Sequence, residues 1–255
     1  MTGPDLLELP GRTLAYQRQA AKGSTDLSGV VFLSGFGSDM TGSKAEYLAT
    51  DCARRGQAYL RFDYRGHGQS SGKFIDGCIG DWFADALAVF DQLTVGPQIL
   101  VGSSMGGWIA LLLARARPER IAGLIGIAAA PDFTEDLVKP SLSERQRQEL
   151  ATTGVTYDYD APEDFRLPYT QKLLDEARAH LVLTTPLTLP CPVHVLQGMQ
   201  DSAVPWQHAL KLIDHINAPQ VRLTLIKDGE HRLSRAEDLM LLTTTLKQLL
   251  AKPIF

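Results

Sequence analysis

The residues Gly102-Ser103-Ser104-Met105-Gly106 constrain this chain more than any others, because they follow G-x-S-x-G between a strand-like run and a helix-like run. The preceding Gln98-Ile99-Leu100-Val101 is short and mostly apolar, whereas Gly107 to Arg115 is rich in helix formers and meets a stop at Pro118. A chain that passes from strand to helix in so few residues must turn sharply. Glycine at positions 102 and 106 removes Cβ atoms that would collide in that turn, and the turn strains the backbone of Ser104 and lifts its hydroxyl above the sheet edge. Ser104 therefore reads as a nucleophile. With 22 glycines in 255 residues the pattern alone is weak, so its weight comes from the flanking elements and from partners elsewhere in the chain.

The rest of the sequence supplies a matching scaffold. Leu6–Leu9 and Thr13–Gln19 flank a Pro10-Gly11 turn and predict an opening β-hairpin. Short apolar runs follow at Val30–Leu33, Ala58–Phe62, Gln98–Val101, Ile121–Ile127, Val193–Leu196 and Val221–Ile226. Helical patterns separate most of them, at Ser43–Arg55, Asp81–Leu93, Gly107–Arg117, Trp206–Ile216 and Ala236–Leu250. Apolar runs without alternation suit parallel strands covered on both faces, so the expected class is α/β, a mostly parallel sheet flanked by helices. At 255 residues and 27.9 kDa the chain suits one domain.

The rhythm breaks between Pro131 and Pro190. The expected organisation is therefore a core of residues 1–130 and 191–255 with a helical cap of residues 131–190 inserted into it. Ser141-Leu142-Ser143-Glu144 carries a capping-box pattern that opens a charged helix of about ten residues. A second helix is expected over about Pro168–Leu183, with Tyr169, Leu173, Ala177 and Leu181 on one face. An insertion at this edge of a sheet commonly covers a site, so Leu173 and Leu181, with Trp206 from the core, are candidate substrate contacts.

A serine hydroxyl near neutral pH needs a base to take its proton and an acid to orient that base. His231 stands just after the last apolar run, on a loop leaving the carboxyl edge where the serine also points. Asp201, in Gly198-Met199-Gln200-Asp201-Ser202, follows the preceding strand in the same way, and Ser104, Asp201, His231 is the chain order required on an α/β sheet of this type. Asp132, which follows the run Ile121–Ile127, is the rival acid. His67 sits in a glycine-rich turn and reads as a capping or packing residue, and the other four histidines fall inside predicted elements. Acyl transfer also needs donors for a developing oxyanion. The backbone N–H of Met105, at the helix start, and that of Phe36, in Ser34-Gly35-Phe36-Gly37-Ser38, are the candidates.

Composition removes other classes. A net charge of −4 offers no basic surface for nucleic acid, and no apolar stretch approaches the roughly 20 residues that cross a bilayer. The three cysteines, Cys52, Cys78 and Cys191, are widely spaced and lack ligand partners, so no metal or other cofactor is expected. Together with an N-terminus that lacks a signal or transit pattern, they lead to the expectation of a cytoplasmic protein.

Taken together, Ser34–Gly37, Asp63-Tyr64-Arg65-Gly66-His67-Gly68-Gln69-Ser70, Gly102–Trp108, Gly198–Trp206 and Glu230-His231-Arg232 resemble the α/β-hydrolase superfamily over nearly the whole chain. The combination is most similar to the α/β-hydrolase domain-containing 10 group, whose animal member is a mitochondrial palmitoyl-protein thioesterase that also cleaves the acyl glucuronide of mycophenolic acid. The resemblance implies a cofactor-independent serine hydrolase with Ser104, Asp201 and His231 as triad and Phe36 and Met105 as oxyanion donors. The implied substrate is a small-molecule ester or thioester, or an acylated protein. Two further readings use the same residues or fold: an acyltransferase passing the acyl group to an alcohol, and a non-catalytic ligand receptor.

Overall fold

The computed structural model describes residues 3–22 and 27–250. The chain opens with β1 (Asp5–Leu9) and β2 (Arg12–Gln19), then alternates β3 (Gly29–Leu33), α1 (Ser43–Arg54), β4 (Tyr59–Phe62), α2 (Ile79–Leu93), β5 (Gln98–Ser103), α3 (Met105–Ala116) and β6 (Ile121–Ile127). Residues 131–190 carry a π-turn at Thr134–Val138, α4 (Lys139–Ser141), α5 (Glu144–Thr153), β7 (Val155–Tyr157), β8 (Pro168–Thr170), α6 (Gln171–Glu176) and β9 (Leu187–Thr188). The rhythm then resumes with β10 (Val193–Gly198), α7 (Trp206–His215), β11 (Ile216–Asn217), β12 (Val221–Ile226) and α8 (Ala236–Leu250).

Eight strands form one sheet in the order β1-β2-β4-β3-β5-β6-β10-β12. β1, β2 and β4 pair antiparallel, and every pairing from β4 through β3 to β12 is parallel. The expected hairpin, strands and five helices are all present, with shifts of a few residues at some ends. The chain runs outward from β3 to β4 and returns across β3 to β5, so the direction of winding reverses between β3 and β5. Loops leaving two adjacent parallel strands in opposite directions open a crevice at their carboxyl ends, the usual ligand position in such sheets.

The sheet is buried on both faces, and its central strands are mostly apolar. Val31 and Leu33 of β3 pack with Leu100, Trp108, Ile109 and Trp82 on the α2/α3 side, and Val30 and Phe32 pack with Ile99, Leu48 and Leu246 on the α1/α8 side. Period-2 alternation along one strand therefore feeds two separate cores. No helix among the described residues is long and apolar enough to cross a membrane.

Within residues 131–190 the charged helix forms as expected. Ser143 and Gln146 complete a capping box, and Gly154 closes the helix in the left-handed conformation. The long helix expected over Pro168–Leu183 does not form. Pro168–Thr170 pair antiparallel with Val155–Tyr157 instead, and the Thr170 side chain accepts a hydrogen bond from the Leu173 N–H at 3.0 Å, starting a helix of only six residues. A helical face can be counted from sequence, but pairing with a partner eleven to fifteen residues away cannot, and here the pairing prevailed. Asp132 anchors the return of this segment: its carboxylate accepts from the Val182 N–H at 2.9 Å and the Leu183 N–H at 2.8 Å. Its φ of 55° lies in the left-handed region that aspartate tolerates better than most residues.

Asp132→Ala removes the acceptor of two buried N–H groups and is expected to lower the free energy of unfolding by about 2–5 kcal/mol, measured by urea denaturation. Asp132→Asn keeps one acceptor oxygen and is expected to lose less. Unchanged stability in both variants contradicts the anchoring role.

Candidate active site

Ser104 occupies the turn between β5 and α3 with φ 54° and ψ −120°, a conformation costing about 1–3 kcal/mol for a residue with a Cβ. Three backbone hydrogen bonds hold it there: Ser104 N–H to the Ile127 carbonyl at 2.9 Å, and the Ser104 carbonyl accepting from Gly107 at 2.8 Å and Ala130 at 3.1 Å. The turn is tight enough that a Cβ on Gly106 would sit 2.1 Å from the Leu33 carbonyl oxygen. Glycine there lets α3 start directly against the end of β3. The adjacent Ser103 is the last residue of β5 and is buried.

Asp201 and His231 come from the loops after β10 and β12. Those loops touch through backbone: a Cβ on Gly198 would lie 2.3 Å from the Gly229 carbonyl oxygen. The close approach brings His231 Nδ1 to 2.8 Å from Asp201 Oδ2. Asp201 is 6% exposed, and its other oxygen accepts from the Ala203 and Val204 N–H groups at 2.9 and 2.8 Å. Gln197 Nε2 donates to Oδ2 at 3.0 Å. Burial alone would push this carboxyl up, but the hydrogen bond and charge of His231, with Val204 and Gln197, outweigh it and hold the group below the usual aspartate range. The carboxylate therefore stays charged wherever an imidazole titrates. Two residues beyond His231, Leu233 adopts φ 42° and buries its side chain in the α1/α8 core, which pins the histidine loop.

The loop after β3 completes the edge. A Cβ on Gly35 would lie 3.3 Å from Ser104 Cβ, so this loop runs beside the serine. Among the described residues the Phe36 N–H has no hydrogen-bond acceptor, and the Met105 N–H, first in α3, has none by helical geometry. His67 supports the loop from behind. Its Nδ1 donates to the Arg65 carbonyl at 3.2 Å, and its Nε2 accepts from the Gly37 N–H at 3.3 Å. Burial lowers this imidazole to about 4, so it is neutral, as the acceptor role requires. The Asp63 carboxylate accepts from the Met40 and Gln69 N–H groups at 2.7 and 2.8 Å, tying the far end of the same loop to the turn that carries His67.

Ser104 and His231 open into one cavity of about 300 Å³, also lined by Phe36 and Met105. Residues 131–190 supply its apolar wall through Phe133, Leu137, Val138, Leu167 and Tyr169, with Tyr169 stacked on Phe36 at 5.9 Å between ring centres. The candidate substrate contacts named from sequence lie elsewhere. Leu173 is 2% exposed and packs in the core, Leu181 packs against that core, and Trp206 starts α7 outside the cavity lining. Leu173 and Leu181 were chosen from one face of a long helix, of which Gln171–Glu176 form the α-helical part, and that face packs into the core. Trp206 stands on α7, which forms as expected. Tyr169, on the same predicted face, reaches the cavity from strand β8. The rival acid Asp132 is spent on Val182 and Leu183. Sequence reasoning missed Gln197, Lys44 and Arg232, of which Arg232 alone carried a signal, being adjacent to His231.

Residues 30–240 match the Alpha/beta hydrolase family. The chain is 40% identical over 247 residues to the mouse protein named palmitoyl-protein thioesterase ABHD10, mitochondrial, covering 96% of this chain and 80% of that one. The human protein of the same name is 34% identical over 94% of this chain and 77% of its own length. Among solved structures, a putative hydrolase from Agrobacterium vitis superposes with a TM-score of 0.90 at 41% identity, covering 98% of this chain and 99% of that one. Mouse alpha/beta hydrolase domain-containing protein 10 superposes with 0.85 at 38%, covering 97% and 98%. The mitochondrial location of these relatives overturns the cytoplasmic expectation. Cys52, Cys78 and Cys191 are buried and free, and burial pushes each thiol up to about 11 or 12. By sequence over most of its length, by sheet order and by the turn that carries Ser104, the chain belongs to the alpha/beta hydrolase family.

Proposed function

We propose that this protein hydrolyses carboxylic esters or thioesters with an apolar acyl group, through an acyl-enzyme on Ser104. The observation that carries this reading is one cavity onto which a strained Ser104 and His231 both open, with the far nitrogen of His231 hydrogen-bonded to a buried, charged Asp201. In the proposed reaction the Ser104 Oγ attacks the substrate carbonyl carbon while His231 Nε2 takes its proton. The negative charge developing on the carbonyl oxygen is held by the N–H groups of Phe36 and Met105, aimed before the substrate arrives. His231 then gives the proton to the leaving oxygen or sulfur as its bond to carbon breaks. Water repeats the sequence on the acyl-enzyme, and the acid leaves. Asp201 keeps Nδ1 protonated, so that Nε2 is the free base, and stabilises the imidazolium between the steps.

Residues 131–190 act in this reading as a cap that holds the acyl group. The apolar wall supports it, because Phe133, Leu137, Val138, Leu167 and Tyr169 all come from that segment. The relatives named as palmitoyl-protein thioesterases favour a thioester among the substrates. The cavity volume lies at the lower end of the roughly 300–1,000 Å³ of ligand pockets, which suits a short or medium chain within it.

Three outcomes test the reading. A fluorophosphonate is expected to label Ser104, located by peptide mass spectrometry, with the neighbouring Ser103 unlabelled; labelling at Ser103 in an active preparation sinks the assignment. Asp201→Asn is expected to fold normally yet lose kcat by up to about 10⁴-fold, because the imidazole loses the partner that selects its tautomer, while Asp132→Asn retains kcat when folded. An exchange of those two results reassigns the acid. Across p-nitrophenyl and coenzyme A esters of graded length, kcat/KM is expected to rise two- to fourfold per CH₂, each worth up to about 0.8 kcal/mol, until the cavity is full. A flat profile removes the cap from substrate selection.

A further inference from the structure

Two cationic side chains stand in the cavity lining with no task in the reaction above. Lys44 comes from the first turn of α1, and Arg232 follows His231 in the chain. Lys44 Nζ donates to the Arg232 carbonyl and, at 3.4 Å, to Ser234 Oγ, so its partners are neutral. Of the four acids near Arg232 in the chain, Asp228, Glu237 and Asp238 pair with Arg235, and Glu230 is exposed and lies outside the cavity lining. Arg232 is exposed and has no ion pair among the described residues. The acid in the cavity lining is Asp158, on the wall contributed by residues 131–190, where it accepts from the Asp160 N–H at 3.2 Å. Two cations against one carboxylate leave the cavity with an uncompensated positive charge.

Position gives that charge a direction. The imidazole that protonates the leaving atom must face the leaving group, and Arg232 adjoins that imidazole while Lys44 is bonded to the Arg232 carbonyl. The apolar wall lies on residues 131–190, so cations and acyl-binding surface come from different parts of the chain.

We propose that Lys44 and Arg232 form an anion subsite on the leaving-group side of the cavity, so that the favoured substrate is an ester or thioester whose leaving group carries a carboxylate or phosphate. The proposal rests on the acyl-enzyme reading for its orientation. The anionic group does not react: the acyl C–O or C–S bond breaks, His231 returns the proton to that oxygen or sulfur, and the alcohol or thiol departs with its charge intact. A guanidinium supplies a planar fork and an ammonium a point charge, the usual pair for such oxyanions. Burial and the neighbouring Arg232 pull the Lys44 ammonium down to about 8 against the raising effect of Asp238. A bound anion restores its charge, so binding above that pH is accompanied by proton uptake.

The test uses matched ligands in the whole protein. Hexanoyl esters of 4-hydroxybenzoate and of 4-hydroxyphenyl phosphate are compared with hexanoyl methyl 4-hydroxybenzoate for kcat/KM, and the amide isosteres of the same three compounds for Kd by calorimetry. In the double variant Lys44→Met, Arg232→Gln the preference for anionic over neutral ligand is expected to fall at least about tenfold in both measurements, and in the parent protein to weaken with salt. The carboxylate and phosphate arms show which oxyanion is favoured. A preference that is absent in the parent protein, or that survives in the variant, overturns the subsite. If no ester is turned over while the anionic amides still bind preferentially and the variant loses that preference, the subsite stands and the hydrolase reading falls.

Discussion

The contact on which the site depends is between two pieces of backbone, the start of α3 and the end of β3. At Gly106 the helix comes so close to the Leu33 carbonyl that no Cβ fits, and this proximity places Ser104 next to the loop carrying Phe36. The strain in Ser104 is the local consequence. About 1–3 kcal/mol of unfavourable backbone conformation persists because hydrogen bonds to Ile127, Gly107 and Ala130 over-determine it, and because α3 is buried along nearly its whole length. Relaxing the serine would require moving a helix out of the core.

A second backbone contact repeats the device at the other half of the site. Gly198 against Gly229 joins the loops after β10 and β12, and the histidine–aspartate bond follows from that closeness. The electrostatics then separate three buried aspartates by their partners. Asp201 has a cationic-capable imidazole and an amide as well as backbone donors, and it is held low. Asp63 and Asp132 rely chiefly on backbone N–H groups, and burial prevails, raising both. One carboxylate is thus suited to stabilising an imidazolium, while the other two fix the paths of loops.

The parts of this architecture legible in the sequence are those with local causes. Apolar runs of four to seven residues between helical patterns gave away the sheet, and Gly102 to Gly106 announced the turn because its sterics are confined to five residues. Ser104, Asp201 and His231 were legible as candidates because each follows a strand at the same edge; Asp132 follows one too, and what sets it apart is its contacts with Val182 and Leu183. Residues 131–190 were legible only in part. The Ser143 capping box is local and formed as read, whereas β8 exists only through pairing with β7, and its formation replaced the expected long helix. Leu173 lies where the chain is helical, and its face, shared with Ala177, packs into the core, because periodicity says which residues share a face and not what that face covers. Gln197 left no signal at all, because its role depends on a neighbour four residues away across a turn.

The cavity joins these two kinds of information. Its reactive edge is built from loops whose geometry the parallel sheet dictates, and that edge brings Lys44 and Arg232 with it, from the loop-side ends of α1 and β12. Its apolar wall is built from residues 131–190, whose two ends Asp132 joins through the Val182 and Leu183 N–H groups. The segment is tied to the core at several further places, among them Trp108 Nε1 donating to the His180 carbonyl, the Gly80 N–H donating to Glu176, and Lys172 paired with Asp81. The apolar residues this segment contributes to the cavity all fall within residues 133–169. The cationic side is less free to vary: Arg232 shares its turn with His231, and Lys44 Nζ donates to the carbonyl of that turn, so a change at either position also acts on the loop that carries His231.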